Sequence, residues 1–203
     1  MGYDIDLRDP VSKETIDLPV EHMMHGNMYP AEYDRATGTF KPIPTAEAHL
    51  GVTYNYSHYY YEATEDDVRF YGYKYDDSED IQNLGIRGIY GKTGAESIQM
   101  LKDMADRIEE RYRDDNGQWI DTERTETRYI DENGNEVEWC DYMCALFDDN
   151  DKLGKIRKEE YTEVVSEGVN KDYWKATAGN AIRPLRQLIA MAQLRPDGIW
   201  GGD

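Results

Sequence analysis

Apolar residues recur at helical spacing most clearly after residue 93. Ile98, Leu101, Ala105, Ile108 and Tyr112 follow one another at three and four residues, which sets them on one helix face. Lys102, Asp103, Asp106, Glu109 and Glu110 fall largely off that stripe. Thr93-Gly94-Ala95-Glu96 reads as a capping box, in which the Thr93 hydroxyl accepts from the Glu96 amide and the Glu96 carboxylate accepts from the Thr93 amide. Arg107, Arg111 and Arg113 lie toward the C-terminal end, where the helix dipole favours cations. Asn116-Gly117 then stops the run, and the spacing predicts a helix over 94–113. A second helix is predicted at 181–194, with Leu185, Leu188, Ile189 and Ala192 on its buried face and Thr177 or Asn180 as its cap. Pro184 is tolerated only in a first turn, so the regular start is set at 181–183. Pro196-Asp197-Gly198 ends this helix.

Alternation with period two marks the strands. Tyr3, Ile5 and Leu7 alternate with Asp4, Asp6 and Arg8, and Ile16 and Leu18 begin a return after the Asp9-Pro10 turn. Residues 19–50 are interrupted by Pro30, Pro42 and Pro44 and are rich in Met and Tyr, which predicts irregular structure with one short helix at 20–25. Val52, Tyr54 and Tyr56 alternate with Thr53, Asn55 and Ser57 as a further strand. The run 71–75 fits a strand or a loop. Residues 119–130, 137–147 and 154–165 are separated by the turn-forming stretches 131–135 and 148–152, and read as a three-stranded antiparallel meander. The last of the three is a strand or a helix by periodicity alone. These elements make an α+β chain, expected as a single domain over 1–203: an antiparallel sheet carrying two main helices.

Composition changes this picture in two places. Hydrophobic residues are 39% of the chain and charged residues 32%, enough apolar surface for a core at 203 residues. Only 3 Phe accompany 17 Tyr, a choice that suits half-buried surfaces where a hydroxyl must find a partner. The net charge of −19 argues against direct contact with a nucleic-acid backbone and toward a basic protein partner. Residues 1–151 carry 14 basic and 35 acidic side chains, a net of −21, whereas residues 152–195 are net basic. The densest acid run, residues 62–80, holds Glu62, Glu65, Asp66, Asp67, Asp76, Asp77, Glu79 and Asp80 around tyrosines 71, 73 and 75. No stretch approaches the ~20 apolar residues of a membrane span. Met1–Asp9 lacks the basic and apolar regions of a signal peptide, so neither membrane nor secretion is expected.

Candidate chemistry is sparse. Gly91-Lys92-Thr93 resembles the end of a phosphate loop, but that loop needs a glycine where Ile86 stands. What remains is a helix start with one cation, able to hold an anion through Lys92, Thr93 and Gly94. Asn55, Ser57 and His58 offer hydrogen-bonding groups along the tyrosine-rich strand and complete a candidate ligand site. His22 and His25 share a helix face, with Glu21, His49 or His58 as further metal ligands. Residues 149–160 match a calcium loop at Asp149, Asp151, Gly154 and Glu160, but Leu153 replaces an oxygen ligand. A β-turn explains the same acids. Cys140 and Cys144 lie ~13 Å apart if they share a strand, too far for a disulfide, and read as free thiols. No nucleophile–base set follows from spacing, and no cofactor is expected, so an enzyme is disfavoured.

The blocks 53–57 (Thr-Tyr-Asn-Tyr-Ser), 91–97 (Gly-Lys-Thr-Gly-Ala-Glu-Ser), Tyr173-Trp174 with Thr177 and Gly179-Asn180-Ala181, and 195–200 with Asp203 resemble a family of uncharacterised tailed-phage proteins. The resemblance spans roughly residues 52–203. It implies residence in the cytoplasm of an infected bacterium and carries over no catalytic residue.

The expected function is therefore an acidic phage-type accessory protein. It would bind a basic surface of a host or phage protein through Glu62, Asp66, Asp67, Asp76, Asp77 and Tyr73, as an inhibitor whose acidic face mimics nucleic acid. The alternatives are a small-ligand protein binding an anion or nucleotide at Lys92–Gly94 and Asn55–His58, and a metal-dependent enzyme.

Overall fold

The computed structural model describes residues 2–19, 31–34, 39–42, 45–73, 80–138, 141–143, 146 and 155–202. The chain is α+β and divides into two compact units, Met1–Trp119 with Gly168–Asp203, and Ile120–Glu167. The helix predicted at 20–25 lies outside the described residues.

In the first unit, β1 (Gly2–Arg8) keeps its alternation: Tyr3, Ile5 and Leu7 are buried, and Asp4 is exposed. The return begins at the Arg8–Thr15 bridge and runs into β2 (Asp17–Pro19). β3 (Ala31–Asp34) and β4 (Thr39–Pro42) pair with each other, and β5 (Thr45–Glu47) pairs with β2. β6 (His49–Thr53) lies antiparallel to β1, with Tyr3 opposite Val52 and Ile5 opposite Leu50.

The strand predicted through Tyr56 ends at Thr53. A 3-10 turn, Tyr54–Tyr56, leads into α1 (Ser57–Thr64). Thr53 caps this turn, its hydroxyl accepting from the Asn55 amide at 3.2 Å. Tyr56, Tyr59, Tyr60 and Ala63 then fall on one helical stripe and are all buried. β7 (Tyr71–Tyr73) and β8 (Ile81–Asn83) form a short ribbon. α2 (Gly94–Tyr112) begins and ends within one residue of its predicted bounds, and the reciprocal Thr93–Glu96 capping box is present.

The second unit is a ribbon with a short third strand. β9 (Asp121–Ile130) pairs over ten positions with β11 (Arg157–Ser166), while β10 (Glu136–Val137) touches β9 at Tyr129 and Ile130 only. The strand order is β10-β9-β11, so the middle strand is β9 and not the one predicted at 137–147. The turn itself is as read: the Asp131 carboxylate accepts from the Asn133 and Asn135 amides at 2.8 Å. Beyond Val137 the chain leaves the sheet, and residues 141–143 are helical, with Tyr142 stacked on Tyr129 at 4.0 Å between ring centres. That aromatic contact occupies the place the meander assigned to a strand. At the other end of the ribbon the fully buried Glu167 accepts from Arg124 at 2.5 Å and from Thr122 at 2.6 Å.

The chain re-enters the first unit at Gly168 and then forms α3 (Ala178–Leu194). The helix starts three residues before the predicted 181, because Thr177 is the cap, accepting from the Asn180 amide at 3.2 Å. Asn180 has a different task. It is fully buried, and its side chain donates to the Asp172 and Lys175 carbonyls and accepts from the Asn170 amide. Pro184 therefore sits inside the helix, buried, and supplies no N–H to the turn before it.

α3 packs on α2, and the chain closes with β12 (Ile199–Gly202), which pairs with the free side of β1 to give the order β12-β1-β6. Trp200 enters the core opposite Leu7, and its indole N–H donates to Ser97 Oγ at 2.7 Å. A Trp200→Ala variant is expected to lose about 3–5 kcal/mol, against about 1 kcal/mol for Thr93→Ala, which removes only a cap. Urea unfolding of both variants checks the order. Equal losses would place Trp200 outside the core.

Candidate functional site

The helix start at Gly91–Ser97 is fully engaged by the chain itself. Gly91 has φ +77°, a left-handed turn residue, which is why glycine stands there. Its amide donates to the Trp200 carbonyl at 2.9 Å, and the Lys92 carbonyl accepts from the Trp200 amide at 3.0 Å. The Gly94 amide donates to the Gly198 carbonyl at 2.7 Å, the Ala95 amide to the Pro196 carbonyl at 2.9 Å, and the Glu96 amide to Thr93 Oγ1 at 3.3 Å. Gly94 is buried against this segment; a Cβ there would stand 2.6 Å from the Arg195 carbonyl oxygen. An anion site needs free amides. Here those of residues 93–96 all have partners, Thr93 and Glu96 through the capping box. The backbone at Lys92, Thr93 and Gly94 thus forms an internal joint to residues 196–200.

The second half of the expected ligand site also makes hydrogen bonds within the chain. Asn55 Nδ2 donates to the Trp174 carbonyl at 2.8 Å. The Tyr56 hydroxyl donates to the Tyr173 carbonyl, Tyr59 to that of Ala176, and Tyr60 to that of Ala181. Tyr173 reciprocates by donating to the Gly51 carbonyl at 3.1 Å. Ser57 Oγ donates to the Tyr54 carbonyl at 2.6 Å and accepts from Tyr3, whose hydroxyl stands 2.6 Å away. Burial pushes the Tyr3 phenol up, so it stays protonated and cannot take a proton from Ser57. His58 is exposed, with its ring 3.8 Å from that of Tyr59 between centres. Asn55 and Tyr56 thus engage segment 173–176, and Lys92–Gly94 engage segment 196–200.

The acid run 62–80 separates into two kinds of carboxylate. Asp67 is only 6% exposed and belongs to the interior. It caps the turn Val68–Phe70, accepting from the Arg69 amide, and takes bonds from Arg69 at 2.5 Å and Arg107 at 2.9 Å. Arg69 also reaches Asp103 at 2.6 Å, which ties the turn to α2, and Arg107 donates to the Ala63 carbonyl of α1 at 3.0 Å. Glu62 accepts from Arg111 and from the Tyr112 hydroxyl, both at 2.8 Å. Neither acid is a free surface charge. Asp66 and Asp80 are exposed, while Asp76, Asp77 and Tyr75 lie outside the described residues.

Two features sit beside these acids. One is an open cleft of about 380 Å³ between α1 and α2, lined by Glu62, Asp66, Arg107, Glu110, Arg111 and Tyr112. Its arginines are turned to Asp67 and Glu62. The other is the β7–β8 ribbon. Tyr73 and Ile81 face each other across it, 58% and 60% exposed, and Tyr71 lies on the same face two residues before Tyr73. Val68, just upstream, is 82% exposed. Tyr73 was legible in the sequence. Ile81 was not, because it stands alone among polar residues and only the cross-strand register pairs it with Tyr73.

Of the expected metal ligands the structure describes His49, His58 and Glu160. His49 Nδ1 lies 2.6 Å from Asp6 Oδ1, and Asp6 also takes a bond from Arg8 at 3.0 Å. Among the described residues there is no group of three or more His, Cys, Asp or Glu side chains placed to hold a metal ion. Glu160, the last residue of the calcium-loop match, lies in β11 opposite Thr127. His22, His25, Cys140, Cys144 and residues 149–154 lie outside the described residues. No helix among the described residues is long and apolar enough to cross a membrane. No protein-family model, no curated protein and no solved structure matches the chain.

Asp67 gives a pH-dependent prediction. The Arg69 guanidinium holds its carboxyl well below the usual range; burial opposes this more weakly, and Arg107 adds to the lowering. A folded-state pKa below the ordinary value of about 3.9 stabilises the fold fully above that value and loses its effect as pH falls toward the folded pKa. The two guanidiniums are 39% and 41% exposed, so solvent screens the network and the loss in Asp67→Asn is set at about 2 kcal/mol near neutral pH. The gap between wild type and variant is expected to narrow below about pH 4. Urea unfolding from pH 7 to 3, as an approximate acid range, checks this, and a constant gap would show that the carboxylate charge is not what stabilises.

Proposed function

We propose that the protein is an accessory binding protein that docks on a basic protein surface through its β7–β8 ribbon. The observation that carries this reading is the exposed cross-strand pair Tyr73–Ile81 within an acidic run, with Asp80 beside it and Asp66 near Val68. Carboxylates alone make poor contact area; an aromatic and an aliphatic side chain supply what they lack. The acids steer a basic partner inward, and salt weakens that steering. Asp67 and Glu62 drop out of the docking set because arginines of the same chain hold them. On the resemblance to tailed-phage proteins, the partner is a host or phage protein in the bacterial cytoplasm. Where its basic face is one that binds nucleic acid, docking inhibits it.

Retention of host-lysate proteins on the immobilised chain tests this. A specific protein is expected on wild type at low salt, released at high salt. It should bind at least tenfold more weakly to a Tyr73→Ser/Ile81→Ser variant that melts like wild type. The same retention by the variant, or none by wild type, would overturn the reading.

A further inference from the structure

Strand β11 is the outermost strand of its sheet among the described residues. It is paired along its ten residues with β9, and the strand order places nothing beyond it. Its outer edge is a row of backbone donors and acceptors that another strand can satisfy. Arg157, Lys158, Glu160, Tyr161, Thr162 and Val164 are exposed along it. The other long edge is less open: β9 is joined to β10 at Tyr129 and Ile130, and its Arg124 is turned to the buried Glu167 at 2.5 Å.

The charge on β11 is unusual for this chain. Arg157 and Lys158 stand against Glu159, Glu160 and Glu163, so the strand is nearly neutral in a protein of net charge −19. An acidic partner is least repelled here, and a second copy of the chain, itself of net charge −19, is such a partner.

Symmetry limits how two such edges can meet. Two copies of one strand pair antiparallel about a two-fold axis perpendicular to the sheet. That axis keeps every side chain on its own face, so a residue can oppose only itself or a residue an even number of positions away. With Glu159 on the axis, Lys158 faces Glu160 of the second copy and Glu160 faces its Lys158. Arg157 then meets the Tyr161 ring, and Ile156 meets Thr162. The carboxylates brought together on the axis are already held by Arg157 at 2.8 Å and Arg128 at 2.9 Å within each copy. Moving the axis to Lys158 opposes two ammonium groups. Moving it to Glu160 opposes two carboxylates for which no arginine partner occurs among the described residues, and leaves Lys158 against Thr162.

We infer that β11 pairs antiparallel with β11 of a second copy, with Glu159 on the two-fold axis, so that the two ribbons form one sheet in the order β9-β11-β11-β9. Main-chain bonds supply the attraction, and the Lys158–Glu160 pairs set the register. This association is independent of the β7–β8 ribbon.

Sedimentation equilibrium of the full chain across a wide concentration range tests it. Wild type is expected to pass from monomer to dimer. Lys158→Glu and Glu160→Lys, taken singly, each turn two attractions into repulsions and are expected to weaken the dimer about tenfold or more. An equal mixture of the two variants is expected to recover the wild-type dissociation constant, because each cross-strand pair again joins one acid to one base. Mixing cannot rescue a misfolded chain, so recovery separates the interface from a folding defect. A wild type that stays monomeric, single variants that dimerise like wild type, or a mixture no tighter than its components would each overturn the inference.

Discussion

The first unit depends on one joint, where the last turn-and-strand of the chain seals the start of α2. A helix start exposes amides that must find acceptors, and a sheet edge exposes a row of groups with the same demand. Residues 196–202 meet both. The Pro196 and Gly198 carbonyls take the Ala95 and Gly94 amides, while β12 pairs with β1. Trp200 fixes the two together by filling the core and donating to Ser97, whose hydroxyl in turn donates to the Gly94 carbonyl. The joint accounts for the small residues on both sides: a Cβ at Gly198 would stand 2.7 Å from Leu7 Cγ, as one at Gly94 would meet the Arg195 carbonyl. It also accounts for the Gly-Lys-Thr signature. Gly91 turns the chain, Lys92 offers its carbonyl to Trp200, and Thr93 caps, so each residue has a structural reason without a phosphate.

The tyrosine content has a comparable origin. Segment 173–176 runs without regular hydrogen-bonded structure between the ribbon unit and α3, and its inner carbonyls need donors. Phenylalanine at 56 and 59 would fill the core equally well and leave the Tyr173 and Ala176 carbonyls unmet. Tyrosine fills it and donates. Distant blocks of the chain bond one another here: 53–57 with 173–174, and 91–97 with 195–200.

The regular, locally determined parts of this fold were legible in the sequence. The capping box, the stripe on α2, the alternation of β1 and the Asp131 turn each depend on neighbours a few residues away. The misreadings came where two periods overlap or a partner is remote. Tyr54 and Tyr56 alternate like a strand, yet Tyr56, Tyr59, Tyr60 and Ala63 also fit a helix, and the Thr53 cap decides for the helix. β12 was missed because Ile-Trp-Gly-Gly has no alternation of its own; its identity comes from β1 and from Trp200. The candidate site fared likewise. Asp67 read as a surface acid because nothing local shows that Arg107, forty residues on, reaches it.

The charge that dominates the composition is divided by the fold into two populations with different physics. Asp67, Glu62, Glu109 and Glu167 are held by arginines of the same chain, so their charges are balanced at short range. Asp66 and Asp80 are exposed, and charges of this kind act on other molecules over a Debye length of about 8 Å at physiological salt. The docking of a basic partner proposed for the β7–β8 ribbon would draw on that field and weaken as salt screens it. Pairing of two β11 edges has the opposite dependence: the main-chain bonds act at contact distance, and the long-range term is repulsion between two acidic chains. Moderate salt screens the repulsion before it reaches the contacts, until the Lys158–Glu160 pairs are screened as well. Ionic strength thus separates the two associations, since a single surface serving both would respond to salt in one direction only.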